Sequence, residues 1–256
     1  MRTLRLTHEG RIAVLRLHRE RGNAIDETMA EELVLAGAQL QADDTVHAVL
    51  LTSSHPTLFC PGLDLVHLLD HDRAAMRRFI GMFAKALWAL YGLPKPVLAG
   101  ISGHAVAGGC ALALTADVRV LRRGGVEIGF SEVGLDVPLP WSVAVLLGAA
   151  LPPGAVTRVV LLGRNFSDEA AVAVGLADEL EGAADFEAAC LERLSRLARK
   201  DPLAVGRTKS YLRAAALDRM RNHEAAHVEE FLDGWFAEAA QARLRRTVEA
   251  LAAKRR

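Results

Sequence analysis

The chain has 256 residues, of which 51% are hydrophobic and 24% charged, a composition typical of a globular protein with a sizeable core. Its 31 Lys and Arg balance its 31 Asp and Glu, so no overall field would recruit nucleic acid or an anionic membrane. Cys60, Cys110 and Cys190 form no C-x-x-C pair, which argues against disulfides and a thiolate metal site. No targeting signal and no apolar run of about 18 residues is present, so we expect a cytoplasmic protein.

The first half of the chain alternates predicted strands and helices. The segments "TLRLT" and "RIAVLRL" alternate polar and apolar residues around Glu9 and Gly10, which predicts a β-hairpin. Apolar residues at helical spacing follow the N-cap Asp26, and again run from about Asp72 to Leu90. Each helix leads to a predicted buried strand, "VHAVLLT" and then "PVLAGIS". This order is typical of an α/β fold.

The second half changes in character. After residue 117 the predicted strands are short, "VRVL" and "VEIGF", and from Leu151 onward almost all of the chain is predicted to be helical. Ser167, Asp185 and Asp201 are the predicted helix N-caps. We therefore divide the chain into a strand-rich body and a helical C-terminal region, residues 1–190 and 191–256.

A last helix, expected from about Asp218 onward, carries an apolar stripe. The stripe consists of Val228, Phe231, Leu232, Trp235 and Phe236. A terminal helix with so many aromatic residues on one side usually seals a core or an oligomer interface. We adopt that structural interpretation of the stripe.

Two glycine-containing segments are candidate binding turns, "FCPGLDL" (59–65) and "AGGCAL" (107–112). Each follows a predicted strand and precedes a predicted helix, where backbone N–H groups lack a helical partner and can bind a developing negative charge. The pair Gly108 and Gly109 lowers helix stability, which indicates that something approaches the backbone closely. Two amides from the two turns would make an oxyanion hole. The alternative is that both turns serve packing alone.

Glu132 is the candidate acid–base residue. It lies in the loop after "VEIGF", within the apolar segment "IGFSEVGLDVPLP". Apolar surroundings raise the pKa of a carboxyl group, as proton transfer at neutral pH requires. Asp136 is the candidate second carboxylate.

Two histidine pairs are candidate metal ligands. "HEAAH", from His223 to His227, matches the H-E-x-x-H pattern of zinc proteases, in which the two histidines bind zinc. The short chain after His227 leaves little room to build such a site, which favours a solvated face rich in His and Glu opposite the aromatic stripe. His67 and His71 are the weaker pair, because the sequence positions no carboxylate to complete them. We therefore expect no metal site.

Taken together, the motifs resemble those of a known family. The segments "RGNAID", "FCPGLDL", "KPVLAGISGHAVAGGCALALTADVRV", "IGFSEVGLDVPLPW" and "RNFSDEAAVAVGLADEL" are similar, in order and spacing, to the signatures of the crotonase superfamily, the enoyl-CoA hydratase and isomerase family. The resemblance implies an α/β fold with a β-β-α spiral core and a C-terminal helical trimerisation region, assembled as a homotrimer or a dimer of trimers. It also implies an acyl-CoA substrate and no separate cofactor, since coenzyme A is part of the substrate.

The resemblance also assigns roles to single residues. The backbone N–H groups of Leu63 and Gly108 would bind the thioester oxygen, and Glu132 would transfer the proton. The residues assigned to substrate binding are Arg21, Ala24, Cys60, Gly62, Asp64, Leu65, Gly109 and Asp136.

The catalytic carboxylates separate the branches of the family. Hydratases resembling the type member carry a glutamate directly after "GGC", where this chain has Ala111, and a second one at the position of Glu132. Adding water needs both a base and an acid, whereas moving a double bond from C3 to C2 needs one group that takes a proton and returns one. The sequence therefore predicts a Δ3,Δ2-enoyl-CoA isomerase, and Pro140, eight residues after Glu132, also fits that branch.

Two positions depart from the isomerase-like pattern. Ser131 stands where Asn is usual, and Asp136 stands where Gly is usual. Hydration, or another crotonase chemistry with Asp136 as a second carboxylate, therefore stays open. So does a protein that binds acyl-CoA without catalysis.

Overall fold

Two β-sheets organise the computed structural model, which describes residues 1–20 and 22–253. The larger sheet has six strands, in the order β1 (Leu4–Glu9), β2 (Ile12–Leu17), β3 (Ala48–Ser53), β5 (Val97–Ile101), β7 (Val118–Arg122) and β10 (Glu179–Glu181). The smaller sheet has four strands, in the order β4 (Leu58–Cys60), β6 (His104–Val106), β8 (Glu127–Gly129) and β9 (Asn165–Ser167).

The N-terminal hairpin has the predicted form. β1 and β2 pair antiparallel with Glu9 opposite Ile12, and Gly10 turns the chain with a φ of 59°, a left-handed conformation that glycine adopts readily. From β2 to β10 the neighbours in the larger sheet pair in parallel. Parallel strands need long crossover connections, usually helices, so the α/β prediction is confirmed.

Ten helices connect these strands within the described residues: α1 (Glu27–Ala42), α2 (Leu65–Leu68), α3 (Arg73–Tyr91), α4 (Gly108–Leu114), α5 (Trp141–Ala150), α6 (Pro153–Leu161), α7 (Asp168–Ala173), α8 (Phe186–Ala198), α9 (Pro202–Trp235) and α10 (Glu238–Ala253). None of them is both long enough and apolar enough to cross a membrane. Asp26, Asp185 and Asp201 cap α1, α8 and α9 as predicted, each accepting a hydrogen bond from a first-turn N–H. Ser167 precedes α7 but makes no side-chain cap hydrogen bond.

Two predictions for the C-terminal half are wrong. The chain after residue 151 is not almost wholly helical, because β9 and β10 add an edge strand to each sheet. These strands have only three residues each, too few to show a period, and they form by pairing with remote segments. The long helix begins at Pro202 and not near Asp218, since no proline interrupts it before Trp235, and α10 is a separate helix.

Both faces of the larger sheet are covered. β3 and β5 are buried along almost their whole length, as expected for central parallel strands. One face joins the main core, and the other packs beneath α8 through Phe186, Cys190 and Leu194. The predicted division at residue 190 thus falls within a helix that packs on the strand-rich body.

The aromatic stripe lies near the end of α9, which packs against α3 and α5. Phe231, Leu232 and Trp235 are buried in the main core. The structure therefore confirms the interpretation of the stripe as a core seal. Two residues of the stripe, Phe231 and Trp235, also line a cavity.

Two largely buried ion pairs with Asp117 hold the first half of α9. Lys209 and Arg213 donate to the two carboxylate oxygens of Asp117, at 2.6 and 2.5 Å. Burial lowers the pKa of Lys209 to about 8, because the charged ammonium loses its water. α9 is thus attached to the core along its length.

Candidate active site

Three neighbouring strands of the smaller sheet bring the site together. β4 pairs in parallel with β6, and β6 pairs in parallel with β8, with Val106 opposite Gly129. Leu63, Gly108 and Glu132 each follow the end of one of these strands within three residues. Because the carboxyl ends of parallel strands meet at the same edge of a sheet, three segments far apart in sequence become neighbours.

Two of these segments have the predicted order of strand, turn and helix. The first runs from β4 through Gly62, which has a φ of 101°, and the second from β6 through Ala107. Ala107 has a φ of 54°, a strained conformation for a residue with a Cβ and one that clusters at functional sites. Its N–H donates to the carbonyl of Gly129 at 2.8 Å, so β8 holds the second turn in place.

The two adjacent glycines have different surroundings. A methyl group on Gly109 would lie 2.0 Å from the carbonyl oxygen of Cys60, so Gly109 allows the two turns to touch. A methyl group on Gly108 would meet side-chain atoms at ordinary or slightly short distances, 3.3 Å for Leu63 and 3.4 Å for Phe83. The packing interpretation therefore explains Gly109, whereas Gly108 faces a cavity.

Leu63 and Gly108 each offer a backbone N–H beside this cavity. The N–H of Ile25 donates to Gly62 O at 2.8 Å and the N–H of Asp64 donates to Ile25 O at 2.9 Å, a parallel bridge that does not use the N–H of Leu63. Gly108 is the first residue of α4, where an N–H has no partner within the helix. Two backbone donors thus line one cavity, the second at the positive end of a helix dipole.

The cavity has a volume of about 320 Å³ and also contains Glu132. Its walls are mostly apolar, the form that binds small ligands. The C-terminal helices also supply wall residues that were not predicted for the site from the sequence, Phe231, Trp235, Leu244, Thr247 and Leu251. The aromatic stripe was the available signal for Phe231 and Trp235, but the sequence cannot distinguish a stripe that faces a core from one that faces a cavity.

Glu132 immediately precedes a 3₁₀ turn, Val133–Leu135. Its Oε2 atom is buried and has no hydrogen-bond partner within residues 1–20 and 22–253. Burial raises the pKa of Glu132 to about 7, because the ionised carboxylate loses its water. A carboxyl group with this pKa can both take and release a proton near neutral pH, as the apolar sequence around it predicts.

A second cavity, of about 570 Å³, adjoins the first. The two share four lining residues, Pro61, Leu63, Leu65 and Leu251. Ala24, Asp64 and Leu65, three of the predicted substrate-binding residues, line the second cavity. Asp64 accepts a hydrogen bond from Arg19 at 2.8 Å. Because they share four lining residues, the two cavities form one recess.

Several other predicted substrate-binding residues lie away from this recess. Cys60, Gly62 and Gly109 line neither cavity; they are buried behind it and shape the two turns. The structure corrects the prediction for Cys60, whose thiol donates to the carbonyl of Asn23 at 3.1 Å within the core. Arg21 lies outside the described residues.

The structure also corrects the placement of Asp136. This residue is exposed and lines neither cavity. Its Oδ2 atom lies 2.7 Å from Nε of Arg243 on α10, and the same arginine donates to the carbonyl of Gly134 at 3.1 Å. Arg243 therefore holds the Asp136 carboxylate on the side of α10.

The H-E-x-x-H motif lies on α9 and makes packing contacts. His227 stacks on the ring of Trp141 at 3.9 Å between centroids, and His223 contacts the same ring at 6.3 Å. The prediction that Glu224 lies on a solvated face is wrong: Glu224 is buried and accepts hydrogen bonds from the N–H and the hydroxyl of Ser142. These partners at the start of α5 offset the loss of water only in part, because burial still raises the pKa of Glu224 and its Oε1 atom has no hydrogen-bond partner among the described residues.

Comparison with known proteins identifies the family. The family model for enoyl-CoA hydratase/isomerase matches residues 7–254. Carnitinyl-CoA dehydratase of Proteus mirabilis is 30% identical over 215 residues, which cover 84% of this chain and 81% of that protein. The chain belongs to the enoyl-CoA hydratase/isomerase family.

Two proteins with isomerase names are also similar to this chain. Enoyl-CoA delta isomerase 3 of Arabidopsis thaliana is 33% identical over 156 residues, 59% of this chain and 65% of that protein. The crystal structure of human mitochondrial Δ3-Δ2-enoyl-CoA isomerase has the same fold, with a TM-score of 0.94, 24% identity and coverage of 99% of both chains. This family member is thus an enzyme of the crotonase superfamily with the crotonase fold.

Proposed function

We propose that this family member is a Δ3,Δ2-enoyl-CoA isomerase with Glu132 as its single acid–base group. The observation that carries the proposal is that, among the described residues, Glu132 supplies the one carboxyl group lining the first cavity. Ala111 occupies the position where hydratase-like members carry a second glutamate, and it is buried in α4. A site with one carboxyl group suits a proton shuttle better than the addition of water.

In the proposed reaction, the thioester oxygen of a 3-enoyl-CoA accepts hydrogen bonds from the N–H groups of Leu63 and Gly108. The Glu132 carboxylate takes a proton from C2, and the C2–H electrons form a dienolate with its negative charge on the thioester oxygen. These electrons then flow back, the double bond moves from C3–C4 to C2–C3, and Glu132 gives the proton to C4. The proposed steps require no metal, and they require no separate cofactor because coenzyme A belongs to the substrate.

The two N–H groups supply a large part of the proposed acceleration. In other enzymes, removal of one donor from an oxyanion hole raises the barrier by about 2.7–4 kcal/mol. The apolar walls of the cavity strengthen such hydrogen bonds, because they exclude water. The position of Gly108 at the start of α4 adds the attraction of the helix dipole for the charged oxygen.

The adjoining cavities support a division of the substrate. We place the acyl chain in the first cavity, against Phe231 and Trp235, and coenzyme A in the second, beside Ala24, Asp64 and Leu65. The shared wall puts the thioester between the two cavities, which is where Leu63 lies. Gly62 and Gly109 contribute by shaping the turns.

Hydration with Asp136 as a second carboxylate is the other candidate function. It is favoured by the similarity to a protein named carnitinyl-CoA dehydratase, which matches most of this chain. The ion pair between Asp136 and Arg243, on the side of α10, opposes it. A substitution at Asp136 separates the two functions.

Replacing Asp136 with asparagine is expected to change kcat/KM for isomerisation by less than about fivefold, because an exposed ion pair contributes about 0–1 kcal/mol. The measurement is the steady-state conversion of a 3-enoyl-CoA by the Asp136→Asn variant and the unchanged protein. A hundredfold loss would instead place Asp136 among the catalytic groups.

The pH dependence of kcat/KM is expected to follow the ionisation of Glu132. The base acts as the carboxylate, so kcat/KM rises with pH and levels off above an apparent pKa of about 7.

The stability of the protein is expected to change with pH in the opposite direction. Burial raises the pKa of Glu132 in the folded protein from its ordinary value of 4.5 to about 7, so ionisation is less favourable in the folded state and the free energy of unfolding falls as the pH rises between these two values. Both directions of change are checked by measuring kcat/KM, and the free energy of unfolding in urea, as functions of pH.

The proposed function is tested with two substrates. Purified protein is given a 3-enoyl-CoA, and the conjugated 2-enoyl thioester is followed by its absorbance. A parallel assay follows hydration of a 2-enoyl-CoA. We expect rapid conjugation and slow or undetectable hydration. Faster hydration would favour the hydratase, and binding of both thioesters without turnover would indicate a protein that binds acyl-CoA without catalysis.

We propose further that the protein assembles as a homotrimer or a dimer of trimers in the cytoplasm. Three large apolar side chains on α9 support the assembly, because they are exposed in the single chain: Leu203, Tyr211 and Leu212. The free, buried cysteines suit a reducing compartment. The balanced charge suits a protein without nucleic-acid or membrane partners. Light scattering is expected to give the mass of three or six chains.

A further inference from the structure

We propose that Glu27, His67 and His71 form a binding site for a divalent transition-metal ion, with Zn²⁺ as the best-suited ion. Nε2 of His67 lies 2.9 Å from Oε2 of Glu27, and Nε2 of His71 contacts Oε1 of the same carboxylate. One ligand atom from each of the three side chains lies within 4.8 Å of the other two. The fold thus completes the histidine pair that the sequence leaves without a carboxylate.

The donor set fits zinc in type, and its ligand atoms lie close enough together for one ion. Zinc binds imidazole nitrogen and carboxylate oxygen at about 2.0–2.2 Å in a tetrahedral arrangement, which places neighbouring ligand atoms roughly 3.3–3.6 Å apart. The two nitrogen–oxygen separations at Glu27, 2.9 Å to His67 and a shorter one to His71, lie below this range, so small side-chain rotations that move these atoms apart would open the space for an ion. The ion would replace the hydrogen bonds that now join the two imidazoles to the carboxylate. Both Nε2 atoms would bind as neutral nitrogens.

The cluster is accessible from solvent. The side chains of His67 and Glu27 are 46% and 37% exposed, and that of His71 is 12% exposed. An ion can therefore enter without unfolding of the chain. With three protein ligands, the fourth position of a tetrahedral site is left for water.

The elements that carry the three ligands adjoin the turn of the candidate active site that carries Leu63. Glu27 begins α1, two residues after Ile25, and Ile25 pairs with Leu63 in a parallel bridge. His67 lies on α2, where its N–H faces the N-cap Asp64. A bound ion would therefore fix α2 to α1 directly after the turn that carries Leu63. None of the three ligands lines either cavity, so the metal site does not depend on the proposed isomerase activity.

The two histidine pairs of the chain provide a matched control. His223 and His227 lie on one helix with the spacing of a zinc motif, but both contact Trp141 and their glutamate is bonded to Ser142. His67 and His71 lack that motif, yet they share the carboxylate of Glu27. The structure therefore predicts metal binding at His67 and His71, whereas the H-E-x-x-H motif predicts it at His223 and His227.

The test is a titration of the full-length, chelator-treated protein with Zn²⁺ against a chromophoric competing chelator. We expect one Zn²⁺ per chain. His67→Ala, His71→Ala and Glu27→Gln are each expected to weaken Zn²⁺ binding strongly. Loss of a residue that only hydrogen-bonds to a metal ligand already weakens binding roughly 10- to 100-fold, and loss of a ligand itself should exceed this. His223→Ala and His227→Ala are expected to bind as tightly as the unchanged protein.

Hydrogen–deuterium exchange gives a second readout that needs no enzyme assay. Zinc is expected to slow exchange in residues 65–71 of the unchanged protein and to have no effect there in the His71→Ala variant. Two results would overturn the proposal. If the unchanged protein binds Zn²⁺ no more tightly than His71→Ala, the three side chains form only an ion pair. If only His223→Ala and His227→Ala lose binding, the metal site lies on α9 instead.

Discussion

Replacing Glu132 with glutamine is expected to reduce the rate of isomerisation by about 10²–10⁴, the range that general acid–base catalysis contributes. Glutamine keeps the size and shape of the side chain but can neither take the C2 proton nor deliver one to C4. Substrate should still bind, because the N–H groups of Leu63 and Gly108 and the walls of the two cavities are unchanged. The loss should therefore be in kcat and not in KM, which steady-state kinetics measures.

The matched control is Glu127→Gln on the neighbouring strand β8. Glu127 is exposed and accepts a hydrogen bond from Asn165 at 3.1 Å, so this variant should retain the activity of the unchanged protein. The Glu132→Gln variant should also lack the fall in stability between acidic and neutral pH, since it has no carboxyl group to ionise there. Full activity of Glu132→Gln would contradict the single-base scheme.

Replacing Gly109 with alanine is expected to have the largest effect on folding among the glycine substitutions in the two turns. The new methyl group would lie 2.0 Å from the carbonyl oxygen of Cys60 and 2.7 Å from its carbonyl carbon, so one turn must move. Overpacking in a core typically lowers the free energy of unfolding by about 1–3 kcal/mol, and contact with backbone places this case at the upper end. Urea unfolding measures the loss.

Gly81 provides the control for this substitution. It lies within α3, and a methyl group there would have no neighbour within 4 Å. Gly81→Ala is therefore expected to raise the free energy of unfolding by about 0.4–1 kcal/mol, because alanine restricts the unfolded chain more than glycine does. Equal stability of Gly109→Ala and Gly81→Ala would show that the two turns do not pack as the structure has them.

Features with a local physical cause were predictable from the sequence. The hairpin depends on alternation around Gly10, and α1 and α9 begin at Asp26 and Asp201, whose side chains accept hydrogen bonds from their own first turns. The raised pKa of Glu132 follows from the apolar segment in which it stands. In each case the residues that decide the structure are close together in the chain.

Features that depend on distant partners were not predictable in the same way. β9 forms because Phe166 lies opposite Ile128 of β8, and three residues alone carry no strand period. Asp136 faces α10 because Arg243 is there, more than a hundred residues later. Likewise, nothing near His67 in the sequence indicates Glu27.

The resemblance to the family supplied the pairing that residue patterns alone could not. Local patterns mark Gly108 and Glu132 as candidates, but only parallel pairing of β6 with β8 brings them to one edge of a sheet. Local patterns also leave the two glycines without separate roles. The structure divides them, with Gly109 against the backbone of Cys60 and Gly108 beside the cavity.

The central claim, that one carboxyl group shielded from water carries the proton from C2 to C4, is tested most directly with an isotope. A 3-enoyl-CoA that carries deuterium at C2 is converted in ordinary water, and the 2-enoyl-CoA product is analysed by NMR. The account predicts that part of the product carries deuterium at C4, delivered by Glu132. Product without deuterium at C4, or a 3-hydroxyacyl-CoA in its place, would contradict it.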